Sequence, residues 1–387
     1  MIRRNNKSIY IDAMSFAQER KSGIGHIAEQ IAVNLAQSLD KNGIVVYLVV
    51  NLGKAKFIKK YSNKNIRIRT IPLPARVFNL LSNYNLLPPM DLLLGRGIYI
   101  FPNYRNWRLS HSRSLTYIHD LVYLNFEHFV EPKNLKYLKR NVPVWVERAD
   151  VIITASEYTK KEISQRLGVE FDKIAVVQHG VDTKMFTKLK IRDYCKTLKK
   201  YGVTETSYIL HLGNIEPRKN IVGLISAYGK LDLRVRCKHP LLLVGGGGWL
   251  NENEMSSIEN GIKSGLNIVR PNRYVEDSDL PAFYSAASVV VTPSFYEGFG
   301  MSPLQAMSCG VPTVVSDNSS LHELFGGVSV LVDPNDSDNI RDGINQALGM
   351  TVSEERSYRS QALRLASKFS WGATALKLKN LIYEKGL

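Results

Sequence analysis

Two successive series of apolar segments of strand length, separated by helical patterns, constrain most strongly what this chain can fold into. A run such as 45–50 is apolar throughout, as expected for a strand that is buried on both faces. Between such runs, residues 27, 31, 35 and 39 place an apolar side chain at every fourth position, which is typical of a helix. The strand-like segments fall at 9–13, 45–50, 115–118, 151–154 and 174–177, and again at 208–212, 240–244, 289–292, 313–316 and 330–332. The pattern predicts an α/β fold in which a parallel sheet covered by helices occurs twice.

The chain has 387 residues, which is enough for two domains with separate cores. A polar, lysine-rich stretch at 182–206 lies between the two series. We therefore predict a Rossmann-like N-terminal domain over 1–187 and a Rossmann-like C-terminal domain over 188–371. Doubly wound domains bind ligands at the carboxyl ends of their strands, so we expect the active site in a cleft between the two domains.

The segment 294–312, SFYEGFGMSPLQAMSCGVP, has the pattern of a strand end, a glycine-rich turn, a short helix and a new strand. It offers the carboxylate of Glu297 and flexible backbone N–H groups where a helix begins, which suits the phosphates and sugar of an activated nucleotide. Ser302 is placed to cap the helix, with Pro303 at its first position. Gln305 would then complete a capping box at the third position.

A second motif, HLGNIEPRKN at 211–220, turns at Gly213 and then presents two adjacent cations, Arg218 and Lys219. Cations at the beginning of a helix oppose its dipole, so they need another reason to be there. A bound diphosphate supplies one, since Arg grips phosphate with two donors and Lys neutralises it as a point charge. The alternative is an ordinary charged surface.

Both motifs resemble those of the retaining glycosyltransferases of family 4, which share the two-domain GT-B fold. The family signature has a Glu, seven residues and a second Glu; here Glu297 holds the first place and Gln305 holds the second. The resemblance implies that Glu297 faces the donor sugar and that Gln305 contacts the ribose without the strength of a charged hydrogen bond. It assigns donor binding also to Gly213, Asn214, Arg218, Lys219, Arg273, Tyr274, Gly298, Phe299, Gly300, Met301 and Ser302.

Two segments of the N-terminal half are candidates for the same site. Gly23, Gly25 and Ala28 fit a dinucleotide-binding fingerprint, but about nine residues separate them from the preceding strand and Asn51 follows the next one, so that context fails. They resemble instead the family's loop that approaches the donor phosphate. His119 and Asp120 follow a strand end, where a polar turn is the simple alternative; the resemblance places His119 beside the donor sugar and acceptor.

The resemblance implies a catalytic set of His119, Glu297, Arg218 and Lys219 that uses no cofactor and no metal. Two Asp-Ser-Asp tripeptides, at 277–279 and 336–338, mimic a metal-binding motif of another glycosyltransferase fold. Each precedes a helical pattern, so we interpret both as helix caps. The donor is expected to be a nucleotide diphosphate sugar, with GDP-mannose favoured.

The formal net charge of +16 is concentrated in the first half, where residues 1–187 hold 28 Lys and Arg against 15 Asp and Glu. One interpretation is a surface that meets an anionic membrane. The other is a solvated edge strand whose lysines block pairing. Nucleic acid is not an expected partner, because no nucleic-acid module accompanies the charge. The densest cluster, with apolar residues interleaved, comprises Lys54, Lys56, Lys59, Lys60, Lys64, Arg67 and Arg69.

These features predict a retaining hexosyltransferase that moves a sugar, with mannose as the leading candidate, to a lipid-linked saccharide in O-antigen, lipopolysaccharide or capsule assembly. Its N-terminal domain would hold the acceptor, and its last helix, at about 372–387, would pack back on that domain. No spanning segment or export signal is recognisable, so we expect a cytoplasmic protein on the inner face of the plasma membrane. The alternatives are a transferase that uses a UDP- or dTDP-sugar and an inactive scaffold of a polysaccharide assembly complex, which Gln305 would favour.

Overall fold

The strands of the computed structural model, which describes residues 8–39, 44–84 and 86–385, form two parallel sheets. Residues 1–7 and 40–43 of the predicted first domain and residues 386–387 of the predicted last helix lie outside these ranges. The first sheet has seven strands in the order β3-β2-β1-β4-β5-β6-β7. Their bounds are β1 Ser8–Asp12, β2 Val46–Asn51, β3 Ile66–Ile71, β4 Gly97–Phe101, β5 Arg113–Tyr117, β6 Val151–Thr154 and β7 Ile174–Val176.

The second sheet has six strands in the order β10-β9-β8-β11-β12-β13. Its central strands β8, β9 and β11 are buried on both faces, which explains their largely apolar sequences. The strand bounds are β8 Tyr208–Leu212, β9 Leu241–Val244, β10 Ile268–Val269, β11 Ala287–Thr292, β12 Thr313–Ser316 and β13 Val330–Val332.

Helices connect the strands and cover both sheets. Those up to the end of the first sheet are α1 Gly23–Leu39, α2 Ala75–Asn83, α3 Met90–Leu94, α4 Val122–Asn125, α5 Pro132–Arg148 and α6 Glu157–Leu167. The others are α7 Ile191–Lys199, α8 Ile221–Gly229, α9 Leu233–Lys238, α10 Glu252–Lys263, α11 Leu280–Ala286, α12 Met301–Ser308, α13 Ser319–Phe325, α14 Ser337–Leu348, α15 Val352–Ser367 and α16 Trp371–Glu384. The prediction of two doubly wound α/β domains is confirmed.

Several helix ends follow directly from local sequence. The Ser156 hydroxyl accepts a hydrogen bond from the Thr159 backbone N–H at 3.2 Å and so begins α6. Gly168, with φ at 64°, ends that helix in the left-handed conformation that glycine adopts without strain. Asp336 caps α14 by accepting from the N–H groups of Asp338 and Asn339. The second Asp-Ser-Asp tripeptide therefore serves as the predicted cap.

Three strands were not predicted from the apolar pattern, and one of them, β3, was considered only as an edge strand in one interpretation of the basic cluster. The first of the other two, β4, begins at Gly97, where an added Cβ would lie 2.1 Å from the Ser8 carbonyl oxygen. Close approach of two backbones thus requires a glycine, which weakens the strand pattern at that position. The second, β10, has only two residues and lies at the edge of its sheet.

The chain divides into two compact units. One comprises the chain up to Leu121, residues 136–180 and the chain from Trp371; the other comprises Val122–Leu135 and Val181–Ser370. The last helix, α16, belongs to the first unit and packs against α1, with Lys379 Nζ donating to the Ser38 carbonyl at 3.1 Å. The lysine-rich stretch 182–206 belongs to the second unit and contains α7.

The core of the second unit lies between its sheet and helices α8, α10 and α14. Ile209, Val289 and Val291 of the sheet are fully buried against Leu224 and Ile344 of the helices. Burying each such side chain contributes about 1.5–3 kcal/mol, so this core holds the carboxyl edge of the sheet in place. Within the described ranges, no helix combines the length and the apolar character needed to cross a membrane.

Candidate active site

The carboxyl ends of the neighbouring strands β8 and β11 bring the two sequence motifs together. After β8 the chain makes a single 3-10 turn, Pro217–Lys219, before α8. After β11 it forms the glycine-rich turn that leads to α12. The Phe295 N–H donates to the Arg218 carbonyl at 2.9 Å, so the two loops are joined through their backbones.

The Glu297 carboxylate lies between the two predicted cations. Its Oε2 accepts from Arg218 Nη1 at 2.7 Å, and its Oε1 accepts from Lys219 Nζ at 2.5 Å. The Ser294 hydroxyl also donates to Oε1 at 2.9 Å. Burial by itself would raise the pKa of Glu297, but the charges and hydrogen bonds of Arg218 and Lys219 outweigh it and lower that pKa to about 2. The carboxylate is therefore ionised at neutral pH.

Arg218 is held in place by more than this carboxylate. Its Nη2 donates to Glu216 Oε1 at 2.8 Å, and its Nη1 also contacts the Tyr296 carbonyl at 2.9 Å. Because these partners lie on both loops, the guanidinium is fixed in direction. The result is a cationic pair set among carboxylates and backbone carbonyls rather than on an open surface.

Asn220 fixes the turn on which the cations lie. It adopts a left-handed conformation with φ at 56°, and its Oδ1 caps α8 by accepting from the Gly223 N–H at 3.1 Å. Its Nδ2 donates to the carbonyls of Pro293 and Pro334 at 3.0 and 2.7 Å. A single side chain thus joins the loops that follow β8, β11 and β13.

His211 lies under this turn as a buried neutral imidazole. Its Nδ1 is 2.9 Å from the Val291 carbonyl, which makes Nδ1 the protonated nitrogen, while its buried Nε2 has no hydrogen-bond partner among the described residues. Burial is the main cause that lowers the pKa of His211 to about 4. A Cβ on Gly213 would lie 3.7 Å from that Nε2 and 3.5 Å from Lys219 Cε, so the glycine keeps the space over both groups open.

The prediction for the start of α12 was wrong. The helix begins at Met301, with Gly300 as a left-handed N-cap at φ 104°, so Ser302 and Gln305 lie inside it and form no capping box. A Cβ on Gly300 would lie 2.7 Å from Leu321 Cδ2 and 2.8 Å from a ring carbon of Phe325. Packing against α13 therefore requires the glycine and sets where the helix begins, which the local sequence does not show.

Gln305 makes a tertiary contact instead of a cap. Its Oε1 accepts a hydrogen bond from the buried Tyr284 hydroxyl at 2.9 Å, and the same hydroxyl lies 3.3 Å from Ser302 Oγ. Gln305 is half-buried.

The turn from Gly298 to Gly300 is buried, and Met301 and Ser302 are half-buried at the beginning of α12. The ring of Phe299 packs at 6.4 Å from Phe325 and 5.9 Å from Phe369, so this side chain belongs to the core. Helix geometry provides no intrahelical acceptor for the N–H groups of Met301 and Ser302, and Pro303 has no N–H. These two donors and the positive end of the helix dipole favour an anionic group at this place.

The loop after β8 meets the glycine-rich loop that follows β9. The Ile215 N–H donates to the Gly246 carbonyl at 2.9 Å, and the Gly213 N–H donates to the Val244 carbonyl at 2.9 Å. Asn214 is exposed at the bend between them. The four-glycine loop, whose role the sequence leaves open, thus supports the backbone of the predicted phosphate-binding turn.

Arg273 and Tyr274 lie on another part of the second unit. The Arg273 guanidinium donates to the Lys200 carbonyl and lies 5.3 Å from the centre of the Tyr201 ring. Tyr274 is exposed. The contacts of Arg273 are with the segment that ends α7, so its assignment to donor binding stays a prediction.

In the first unit, His119 follows β5 and is buried. Its Nε2 is 2.8 Å from the Pro102 carbonyl, and its ring lies 5.7 Å from that of His179. Burial is the main cause that lowers the pKa of His119, so the imidazole is neutral near pH 7. The neighbouring Asp120 accepts a hydrogen bond from the Tyr104 hydroxyl at 2.9 Å.

Gly23 and Gly25 form the first turn of α1, as the sequence predicts for the loop that leads into this helix. The Ser22 hydroxyl accepts from the Gly25 N–H at 3.2 Å, and a Cβ on Gly25 would lie 2.7 Å from the Ser15 carbonyl oxygen. Gly23, by contrast, is exposed, with no atom within 4 Å of a Cβ position.

The first Asp-Ser-Asp tripeptide differs from its prediction. Asp277–Asp279 forms a 3-10 turn before α11, and Asp279 accepts from the Tyr201 hydroxyl at 2.7 Å rather than capping the helix through its side chain. Over the described part of the chain, no group of three or more His, Cys, Asp or Glu side chains is placed to hold a metal ion.

Sequence reasoning missed several residues that shape this site. Ser319 Oγ accepts from the Glu297 N–H at 3.2 Å, and the Ser320 hydroxyl donates to the Glu297 carbonyl at 2.8 Å. Tyr284 and Glu216 were missed as well. A buried serine or tyrosine has no recognisable spacing relative to the motif it supports, so only the fold reveals these contacts.

Comparison with solved structures defines the class of fold. Sucrose-phosphate synthase from Thermosynechococcus elongatus superposes with a TM-score of 0.75 at 18% identity, covering 98% of both chains. Anabaena HepE in complex with UDP-glucose superposes with a TM-score of 0.70 at 17% identity, covering 98% of this chain and 99% of that one. The two Rossmann-like sheets thus form a GT-B fold, as predicted.

Sequence comparison then identifies the family. The model for group 1 glycosyl transferases matches residues 196–364, and the model for glycosyltransferase family 4 matches residues 28–185. O-antigen chain mannosyltransferase B of Escherichia coli is 34% identical over 272 residues, which cover 69% of each chain. Serotype-specific mannosyltransferase WbdA of Escherichia coli is 31% identical over 66% of this chain and 32% of its own length. The chain belongs to this family of glycosyltransferases.

Proposed function

We propose that the chain is a retaining hexosyltransferase that transfers a sugar from a nucleotide diphosphate donor to a lipid-linked saccharide. Mannose from GDP-mannose is the favoured donor, because relatives that are 34% and 31% identical to this chain over the aligned residues carry mannosyltransferase names. The name of the first of these relatives supports a role of the reaction in the assembly of O-antigen or a similar surface polysaccharide.

The observation that carries this proposal is the arrangement of Arg218, Lys219 and Glu297. Two cations beside the beginning of a helix, both directed by one ionised carboxylate, provide charged hydrogen-bond donors with a fixed orientation. Lys219 Nζ has three N–H groups and meets Glu297 with one of them, so it can also donate to a phosphate oxygen. A diphosphate leaving group needs this kind of charge stabilisation.

The proposed reaction breaks the bond between the anomeric carbon of the donor and the diphosphate oxygen. The acceptor hydroxyl forms its new bond on the same face, and its proton passes to the departing phosphate oxygen. Arg218 and Lys219 stabilise the negative charge that develops on the diphosphate, with the N–H groups of Met301 and Ser302 as further donors. With these charges supplied by side chains, we propose that transfer needs neither a metal nor a cofactor.

The other predicted residues have proposed roles in positioning. Glu297 would face the sugar, Gln305 would hold the ribose, and Gly213 and Asn214 would line the phosphate site. From the first unit, His119 would lie by the donor sugar, and Gly23 and Gly25 would approach the donor phosphate. The neutral state of His119 suits a hydrogen-bonding role toward a hydroxyl group.

A thermal-shift panel tests the donor. GDP-mannose, GDP, UDP-glucose and dTDP-glucose are each added to the purified chain, and stabilisation is compared at equal concentration. A ligand at 100 times its dissociation constant stabilises by about 2.7 kcal/mol, so GDP-mannose should raise the melting temperature more than the others. A larger shift with UDP-glucose or dTDP-glucose would indicate that nucleotide sugar as the donor instead of GDP-mannose. The proposed class of reaction would not change.

The competing proposal is an inactive scaffold, which is favoured only by the presence of Gln305 where the family signature has its second Glu. The intact contacts of Glu297 with Arg218 and Lys219 favour an active enzyme. Incubating the chain with GDP-mannose and a lipid-linked saccharide separates the two. Sugar transfer or slow release of GDP supports the enzyme, while neither reaction with any stabilising nucleotide sugar supports the scaffold.

We further propose that the first unit lies against an anionic membrane on the cytoplasmic side. Helix α2 and the segment after it present apolar side chains to solvent, including Leu80 and Leu86, and α3 adds Leu92 and Leu93, which are 60% and 65% exposed. All seven cations of the sequence cluster are exposed as well. Protection of the edge strand β3 by basic side chains would explain Arg67 and Arg69, but it does not explain the exposed leucines.

A further inference from the structure

A cavity of about 860 Å³ in the second unit borders the candidate active site. Pro217 and Asn220, which flank Arg218 and Lys219 in the chain, form part of its wall. Its volume lies in the range of small-molecule sites. The roles proposed for the donor site use none of the residues on the rest of this wall.

Part of the lining of the cavity is apolar. Phe129 and Phe295 are half-buried and stack on each other, with ring centres 5.5 Å apart and planes 23° apart. Val222 of α8 and Leu250 also belong to this apolar part and are unusually exposed for apolar residues. The Trp249 Nε1 donates to the Phe129 carbonyl at 2.7 Å, which fastens the aromatic segment to the loop before α10. The wall offers flat apolar surface to a ligand.

Other lining residues carry hydrogen-bonding groups. Glu254 is only 5% exposed, lines the cavity, and its Oε2 has no hydrogen-bond partner among the described residues. Burial raises the pKa of this carboxyl group. The dipole of α10 favours an acidic residue in its first turn, which explains why position 254 is a Glu. It does not explain why a buried carboxylate oxygen has no hydrogen-bond donor among the described residues. Glu252, Asn253 and Asn335 add further oxygen acceptors.

The charged side chains of the lining favour a neutral ligand over an anionic one. Among the described residues that form the wall, two are Glu and none is Lys or Arg. Phosphates are therefore expected at Arg218 and Lys219 and not in this cavity. A neutral molecule with hydroxyl groups on its rim and C–H groups on its faces matches both the polar and the apolar residues of the lining. Its hydroxyl groups would donate to the carboxylates, and its C–H faces would pack on the aromatic rings. A hexose ring has this chemistry.

We propose that the cavity is a saccharide subsite that binds a neutral hexose unit of the chain being extended, separately from the nucleotide sugar. The choice of a saccharide rests on the proposed function. Glu254 Oε2 accepts a hydroxyl hydrogen bond from the sugar, and Phe129 and Phe295 pack against its ring. Such a subsite retains the growing saccharide near the transfer site.

Calorimetric titration of the full chain with mannotriose, maltotriose and galactotriose, without nucleotide, tests this subsite. We expect at least one of the three to bind. Glu254→Gln should weaken that binding about fivefold, because a neutral amide is a weaker acceptor than a carboxylate. Ser226→Met, which extends a neutral side chain from the exposed surface of α8 into the cavity, should weaken it about tenfold or more.

Glu259→Gln is the matched control, since Glu259 is exposed on the same helix as Glu254 and does not line the cavity. It should bind the saccharide like the unaltered chain. Binding of none of the three trisaccharides, or unchanged binding by both cavity variants, would overturn the subsite. The GDP thermal shift is recorded on the same samples. Absence of that shift in an unaltered chain that binds saccharide argues against the proposed donor only. An unchanged shift in variants that lose saccharide binding separates the two sites.

Discussion

At the scale of single residues, the burial of Lys219 changes what its substitution should do. The sequence suggests a solvated cation, but the lysine side chain is only 16% exposed and pairs with a buried carboxylate. Removing it leaves Glu297 with Arg218 and Ser294 as partners. The site thus loses one of its two positive charges while the loop keeps most of its anchors.

Lys219→Ala should lower sugar transfer by about a hundredfold or more, because one of the two cations proposed to stabilise the leaving diphosphate is lost. Stability should fall by about 1–2 kcal/mol, since the buried carboxylate keeps other hydrogen bonds. Steady-state transfer kinetics and urea unfolding measure the two effects. Lys230→Ala serves as the control, because Lys230 forms an exposed pair with Asp338 just after α8 and should change neither quantity appreciably. Transfer by Lys219→Ala within twofold of the unaltered chain would contradict the diphosphate role.

Residue types that carry chemistry were recognisable from the sequence, but the contacts that position them were not. Glu297, Arg218 and Lys219 stand next to glycines and prolines that mark a turn, so their motifs are visible. Gln305 was misinterpreted because Ser302 and Pro303 fit a helix start that the fold does not use. The true start depends on Leu321 and Phe325, which lie some twenty residues away along the chain.

At the scale of elements, two glycine-containing loops form the base of the predicted phosphate site. Gly245 adopts φ of 155°, and a Cβ there would lie 1.9 Å from the Gly213 carbonyl oxygen. This contact is between backbones, so no side-chain rotation can relieve it. The loop after β9 therefore determines where the turn after β8 can lie.

Gly245→Ala should destabilise the chain by about 2–4 kcal/mol, through an unfavourable backbone conformation and a steric clash. Its donor affinity should fall, because the Gly213 turn must move. Gly246→Ala is the neighbouring control, since a Cβ at that position has no atom within 4 Å. Urea unfolding and the GDP thermal shift report both effects; equal stability of the two variants would show that the loops are not in the contact described.

The elements that were predicted well are those whose side chains are buried on both faces. The strands β6, β8 and β12 have the bounds that their apolar runs predicted. Strand β4 was missed because its first residue is a glycine required by its neighbour β1. Periodicity thus reveals burial, while close backbone contacts between strands depend on residues far apart in sequence.

At the scale of the whole molecule, exposed leucines and basic residues of the first unit have a measurable consequence. A triple substitution, Leu86→Ser, Leu92→Ser and Leu93→Ser, should reduce flotation with vesicles of phosphatidylcholine and phosphatidylserine several-fold. Each buried methylene contributes about 0.8 kcal/mol to membrane affinity, and each nearby Lys or Arg about 1 kcal/mol. The serines keep the cations in place, so the residual binding should become strongly salt-dependent.

Leu376→Ser is the control for this experiment, because Leu376 is a similarly exposed leucine on α16, outside the segment that carries the exposed leucines. It should float like the unaltered chain. Vesicles of phosphatidylcholine alone should retain little protein. Equal flotation of the triple variant, or no preference for phosphatidylserine, would remove the membrane surface from the proposal.

The position of α16 also determines the order in which the molecule can fold during synthesis. The first unit takes its last helix from the far end of the chain, after the whole of Val181–Ser370 has been made. Until α16 has been made, the surface of α1 that it covers lacks this contact, although the strands of the first unit have already been synthesised. Domains usually fold in the order of their synthesis. Here the second unit is the first that can finish, because α16 must emerge from the ribosome before the first unit closes.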